Sequence, residues 1–307
     1  MKFSLVIPLA PGRNAEIIDS IKELNYPRKE FEVIVKEGLN PSENRNNGAK
    51  RAKGEIIAFL DDDAVIDVNF LKEAEEFFDK HPEIDIVGGA QLTPKWQKGF
   101  AKISGYALSS KFGAWKMGMR YSLRELNLNA DETMLTSANL FCRKEVMKKI
   151  QFDPKLFPGE DPKFIEDAKK EGFKIAYSPD LILYHKRRET IKAMIKQISS
   201  YGRTRTDKES FFETLKKPFF LIPLLFCFYL AFLSVFVFLE FFKINLISNL
   251  ILFFPIGSYL ILDLFFSVYE SAKNKNLKAI FLLLFIFPLI HISYGVGMIR
   301  GYLKNKK

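Results

Sequence analysis

From residue 218 onward the chain is so apolar that it must keep three long segments out of water. Residues 218–242, 246–269 and 277–299 are each long enough to cross a hydrocarbon layer of about 30 Å at about 1.5 Å per helical residue. The first is dense in Phe and Leu and has no charge before Glu240. The second carries one acid, Asp263, and the third weakens at His291 and at Gly295-Val296-Gly297. Three successive segments of this apolarity are hard to bury inside a soluble domain of a 307-residue chain, so the expectation is a multi-pass membrane domain of about three helices over 218–307.

The N-terminus opens with an apolar run too short for a signal peptide and is followed by Pro8, which reads as a first β-strand of a domain that stays in the cytoplasm. Orientation then has a conflict. A cytoplasmic N-terminal domain puts Lys243 outside and Lys273, Lys275 and Lys278 inside, as the positive-inside rule asks. Three full crossings would put Arg300, Lys304, Lys306 and Lys307 outside, against that rule. Either the rule fails at this tail, or one segment is re-entrant or lies in the interface.

Residues 186–217 form a basic belt before the first apolar segment, with ten Lys/Arg against four Asp/Glu. Ile191, Met194, Ile195, Ile198 and Tyr201 recur there at helical spacing. Such a helix lies on an anionic leaflet or packs on the catalytic domain with a solvated basic face. Nucleic acid is not the expected partner of this charge, because the belt lacks interleaved aromatics for base stacking. The two cysteines, Cys142 and Cys227, lie far apart and suggest neither a disulfide framework nor a Cys-based metal site.

Residues 1–185 alternate between short apolar runs and helical patterns. Strands are expected over 3–8, 31–36, 55–60, 84–89, 174–177 and 181–184, and helices over 14–24, 68–80 and 162–171. This alternation predicts an α/β domain with a mixed central sheet. Three acids, Asp61-Asp62-Asp63, end the strand at Leu60. Open α/β sheets bind ligands at the carboxyl edge. Carboxylates this close repel one another unless a cation holds them, and hard divalent ions take carboxylates together with substrate phosphate oxygens. The alternative is that Asp63 caps a helix starting near Val65. A second acidic pair, Glu160-Asp161, follows Gly159 at an expected helix N-terminus, where a carboxylate is held in its charged form. His185 ends the last strand and is followed by Lys186-Arg187-Arg188. Imidazole can ligate an ion, and the cations can neutralise phosphate.

In this order the motifs resemble family 2 glycosyltransferases of the GT-A fold, over about residues 3–205. The strand ending in Pro8, the passage Arg45-Asn46-Asn47-Gly48 through Gly54-Glu55 to Asp61-Asp62-Asp63, the segment from Ser137 to Arg143, and the loop from Phe152-Asp153 to Gly159-Glu160-Asp161 carry the likeness. The closing Tyr184-His185, Arg188, Gln197 and Tyr201-Gly202 are similar to a membrane-anchored subgroup of succinoglycan type.

The resemblance implies that Asp161 is the catalytic base. It also implies that Pro8, Glu37, Arg45, Asp61 and Arg188 serve the nucleotide sugar, and that Asp63 binds Mn²⁺ or Mg²⁺ with His185 as a further ligand. Asn139 and Glu160 fall on the acceptor side, and Asp62 is the acid expected to matter least. The donor is by default a UDP-sugar, with a GDP-sugar open, and the acceptor is lipid-linked or a glycan. Lys36-Glu37-Gly38 departs from the two acids often found there. Gln197 is followed by Ile198-Ser199-Ser200-Tyr201 rather than the QxxRW of processive members, which points to transfer of a single sugar. Two other readings stay open: a transferase whose acceptor is a polyprenyl phosphate itself, and a non-catalytic membrane protein that binds nucleotide sugars.

Overall fold

The computed structural model describes residues 1–241 and 249–305. Lys243, Lys306 and Lys307 of the orientation argument lie outside the described residues, as do positions 242 and 246–248 of the expected apolar segments. The chain divides into two compact units, Met1–Gln97 with Lys116–Arg187, and Lys98–Trp115 with Arg188–Lys307.

The first unit is a six-stranded mixed sheet in the order β2-β1-β3-β7-β5-β8. Its strands are β1 (Phe3–Leu9), β2 (Phe31–Glu37), β3 (Ile56–Leu60), β5 (Ile86–Gly88), β7 (Asn139–Arg143) and β8 (Ile175–Tyr177). β1 runs parallel to β2 and β3, and β7 enters antiparallel between β3 and β5. Strand side chains alternate between the two faces of a sheet. Phe3, Leu5 and Ile7 of β1, with Ile56, Ala58 and Leu60 of β3, enter one apolar core, while Val6, Ile57 and Phe59 enter the other. A sheet covered on both faces needs continuous apolar strands rather than alternating ones. This is why β3 reads as an unbroken Ile-Ile-Ala-Phe-Leu run.

A smaller sheet, in the order β4-β9-β6, joins β4 (Ala64–Ile66), β6 (Gln91–Leu92) and β9 (Leu183–His185). Asp63 therefore leads into a strand, which removes the helix-cap reading. Two strands of this small sheet, β4 and the two-residue β6, were not anticipated from the pattern. Both are too short for their alternation to be legible.

The second unit contains the apolar helices Ile222–Phe241, Asn249–Lys273 and Ala279–Asn305. All three are long and apolar enough to cross a membrane. Residues 98–115, which the sequence reading left within 1–185, cluster with this unit. Phe112 explains why: its ring stacks on Phe266 at 5.1 Å and meets Phe287 edge-on at 5.1 Å. His291 holds it further, with Nε2 2.8 Å from the Phe112 carbonyl oxygen and Nδ1 2.8 Å from the Tyr259 hydroxyl.

The basic helix, Ile191–Lys208, buries Met194, Ile198 and Gly202 and packs in this unit against the Ala279–Asn305 helix. A Cβ on Gly202 would collide with the Tyr294 carbonyl, and one on Gly297 with the Ser199 carbonyl. Small residues let helix backbones approach this closely. Ile191, Ile195 and Tyr201 of the expected apolar stripe remain exposed.

Candidate active site

The site is built at the carboxyl edge of β3, where the buried strand gives way to Asp61-Asp62-Asp63. Register in the small sheet brings the distant histidine to it. β4 pairs antiparallel with β9, with Ala64 opposite His185, so the residue before β4 meets the end of β9. His185 Nε2 stands 3.1 Å from Asp63 Oδ1 and 3.4 Å from Asp61 Oδ2. The other ring nitrogen, Nδ1, lies 3.1 Å from the Lys186 carbonyl oxygen. A carbonyl only accepts, so Nδ1 carries hydrogen and Nε2 is the atom presented to the carboxylates.

Burial opposes charge at all three groups, and their mutual attraction outweighs it. His185 is pushed up to about 9 by Asp61 and Asp63 against its burial. Asp63 is held well below the usual carboxylate range, its burial outweighed by His185 and then Arg13. Asp61 is likewise lowered, its burial outweighed by His185 and Arg45.

One atom from each of Asp61, Asp63 and His185 can lie within 4.8 Å of the others. Two hard carboxylate oxygens and an imidazole nitrogen whose partner nitrogen is fixed by a backbone bond form a donor set that fits a divalent cation. Asp61 thus joins the candidate metal group, beside the nucleotide role implied for it.

Two arginines hold the acids in place. Arg45, on the Pro41–Arg51 helix that Asn40 caps through Ser42 N and Glu43 N, is buried. Its guanidinium reaches Asp61 Oδ1 at 3.0 Å and Glu160 Oε1 at 2.9 Å. This bridge ties two acid motifs 99 positions apart in sequence to one helix. Asn46 tightens the tie: its side chain donates to the Phe152 carbonyl at 2.8 Å and accepts from Phe152 N at 3.0 Å. Phe152 in turn stacks on Phe164 at 4.3 Å and meets Phe59 edge-on at 5.0 Å.

Arg13, in the turn after β1, reaches Asp62 Oδ2 at 3.1 Å and Asp63 Oδ2 at 3.3 Å. The sequence reading missed Arg13, and its only signal was position: a cation just past the carboxyl end of the first strand. Arg13 also touches Asp62, the acid expected to matter least. That residue is buried, its main-chain oxygen accepts from Ile17 N at 3.1 Å, and its carboxyl is pushed up to about 6 by burial and by Asp63, against Arg13.

Glu160 and Asp161 open the Glu160–Lys170 helix, two residues earlier than expected, after Gly159 at φ +136°. That φ is one that side-chain-bearing residues rarely adopt. Asp161 Oδ1 is buried with no hydrogen-bond partner. A buried acceptor left unmatched is unusual in a folded protein.

Glu160 was placed on the acceptor side, but it is buried against Arg45, and Gly159 N donates to its Oε2 at 2.9 Å. Asn139, also placed there, is fully buried in β7; its amide donates to Leu181 O at 2.8 Å and Ala90 O at 3.3 Å. Both side chains make contacts that hold the unit together, and Asn139 Oδ1, like Asp161 Oδ1, is buried with no hydrogen-bond partner. Pro8 is buried near the carboxyl end of β1, and Glu37 is exposed at the end of the neighbouring β2. Arg188 is the first residue of the second unit's C-terminal segment and is exposed.

Burial, and next the charge of Asp161, push Glu160 up to about 7 against the pull of Arg45. An acid whose folded value lies above its unfolded one binds its proton more tightly when folded. Its contribution is present below about pH 4.5 and lost as pH rises through about 7. Relative to Glu160→Gln, the wild type is therefore expected to lose stability across that window, by at most about 3 kcal/mol. Thermal melts of both proteins at the two ends check this, and a pH-independent difference between them would contradict it.

A family model described as "Glycosyltransferase like family 2" matches residues 3–200. This chain belongs to glycosyltransferase family 2. As an enzyme of that family it is similar along most of its length to the dolichyl N-acetyl-alpha-D-glucosaminyl phosphate 3-beta-D-2,3-diacetamido-2,3-dideoxy-beta-D-glucuronosyltransferase of Methanococcus voltae. The two are 25% identical over 295 residues, covering 92% of this chain and 84% of the relative.

The poly(ribitol-phosphate) beta-N-acetylglucosaminyltransferase TarS of Staphylococcus aureus (strain Mu50) is 29% identical over 111 residues. The minor teichoic acid biosynthesis protein GgaB of Bacillus subtilis is 25% identical over 203. The glycosyltransferase spans only 19% of the length of either of these two relatives. Its fold is that of the mannosyltransferase PcManGT from Pyrobaculum calidifontis, solved in complex with GDP-Man and Mn2+. The TM-score is 0.59 at 13% identity, covering 94% of this chain and 87% of that one. The GT-A fold with a mixed sheet, expected from the sequence, is the fold observed.

Proposed function

We propose that this enzyme is an inverting, divalent-metal-dependent glycosyltransferase that moves one sugar from a nucleotide sugar to a hydroxyl of a lipid-linked glycan at the cytoplasmic membrane face. The observation that carries the reading is the Arg45 bridge, which joins Asp61 of the metal-type cluster to the helix turn that bears Asp161. Asp61, Asp63 and His185 would hold the cation, which supplies Lewis-acid neutralisation of the nucleoside diphosphate. Arg13 keeps the Asp63 carboxylate oriented, and Arg45 does the same for Asp61. Asp161, with an unmatched buried oxygen, accepts the proton of the attacking hydroxyl. A single displacement from the face opposite the departing diphosphate inverts the anomeric carbon.

The dolichyl-linked substrate named for the Methanococcus voltae relative, and three helices able to cross a membrane, support a lipid-linked acceptor. The UDP or GDP choice and the sugar follow from the test itself. Release of nucleoside diphosphate is measured over a panel of UDP- and GDP-sugars with Mn²⁺ or Mg²⁺, then with excess chelator. Turnover of one donor that stops on chelation is expected. Full activity in chelator, or no donor turned over or bound, would remove the reading.

A further inference from the structure

The arrangement of apolar helices in the second unit speaks to the conflict over its basic tail. The first helix, Ile222–Phe241, starts beside the end of the third, Ala279–Asn305. Leu221 and Leu224 share a buried cluster with Met298, and Tyr294, Ile299 and Tyr302 pack against it. Further along the first helix, Cys227 Sγ lies 3.6 Å from the Ile292 carbonyl, and a Cβ on Gly295 would strike Pro223 O and Cys227 Sγ. As the first helix advances from Leu224 to Cys227, its contacts on the third step back from Met298 to Ile292. Three residues along the first helix span six along the third, so the two cross at an angle rather than align, and the third ends near where the first begins. Phe211, just ahead of the first helix, touches Tyr302 at 5.8 Å between ring centroids.

The second helix, Asn249–Lys273, runs against the first. Phe226 stacks on Tyr259 at 4.4 Å, whereas Tyr229, further along, donates to Leu252 O at 2.8 Å. Its end, Lys273, is thus directed back to the side where the first helix starts. Only residues 274–278 separate it from the third helix, so the third helix starts on that side and finishes on that side.

We infer that the third apolar helix is not a full crossing but lies along the membrane face from which the first departs. Its basic end joins the cations of the preceding belt in one collar on an anionic leaflet. Arg300 and Lys304 are exposed at that end, as are Lys192, Lys196, Arg203 and Lys216 in the belt. Phe212 is 76% exposed, and Phe211, Leu215, Ile191 and Ile195 are also exposed among these charges. Exposed apolar side chains at one end of a cluster of cations are what an anionic headgroup layer accepts, charge at the phosphates and apolar groups beneath. The collar also agrees with the positive-inside rule, which three full crossings would break at this tail.

Lys216→Cys, Lys278→Cys and Lys304→Cys, each in a Cys227→Ser background, can be labelled with a membrane-impermeant maleimide in sealed vesicles of known orientation. Cys142 is buried and stays silent. All three positions are expected to label from the same side, and Lys304→Cys labelling from the opposite side would overturn the inference. The readout is independent of sugar transfer, so it fails or stands separately from the proposed reaction.

The lipid partner is tested with the full chain in nanodiscs of phosphatidylcholine with and without phosphatidylglycerol. A melting temperature a few degrees higher in the anionic discs is expected, with the difference closing near 1 M salt, where screening acts within about 3 Å. Equal melting in both discs, or a difference that salt does not close, would remove the anionic leaflet as the partner.

Discussion

Asp161→Asn is expected to lower turnover by about 10²- to 10⁴-fold, the usual worth of a positioned general base, while donor binding changes no more than a few-fold. The amide keeps the shape of the side chain and loses its ability to take a proton. Asp161 forms no ion pair with the Asp61–Asp63–His185 cluster and acts on Arg45 through its charge alone, so the contacts on the donor side are kept. Turnover is read from nucleoside diphosphate release and binding from calorimetry with the accepted donor. The same variant separates two acceptor classes. A lipid phosphate is already ionised and needs no base, so a variant with undiminished turnover would shift the reading to polyprenyl phosphate as acceptor.

Arg45→Met is expected to cost about 3–5 kcal/mol of stability, the scale for removing one partner of a buried charge group. The guanidinium is itself buried and lies between Asp61 and Glu160, with its cationic form favoured, against its own burial, by Asp61, Glu160 and Asp161. Without it, Asp61 and Glu160 lose the cation that both contact. Thermal melts check the loss. Adding Glu160→Gln to Arg45→Met is expected to recover part of it, because one of the stranded charges is then gone. A melting temperature unchanged by Arg45→Met would show that the bridge stabilises nothing.

Much of this protein can be read along the chain because burial is written locally. The continuous apolar run of β3 announces a strand covered on both faces, and three carboxylates directly after it announce where charge collects. Gly159 before Glu160-Asp161 marks a turn that feeds a helix. The apolar helices are equally plain, because a residue type repeated over twenty positions needs no partner to be interpreted. Arg13 was not legible, since one arginine in a turn has no periodicity to set it apart. That residues 98–115 cluster with the apolar helices was not legible, because an apolar helix looks the same whether it covers a sheet or packs among helices. The burial of Asn139 was not legible either, since its motif does not record that its side chain points into the interior.

Fold class, family, the acids at the sheet edge and the segments that avoid water are all written in runs of neighbouring residues. Which charges meet is a property of the folded chain: Asp61 with Arg45, Asp63 with Arg13, and both acids with a histidine more than a hundred positions away. The folded chain also decides that the third apolar helix ends beside the start of the first. Those pairings rest on sheet register and on close helix approach at glycines. A shift of one residue in the β4–β9 register would turn His185 to the other face, and no local pattern in the chain records that choice.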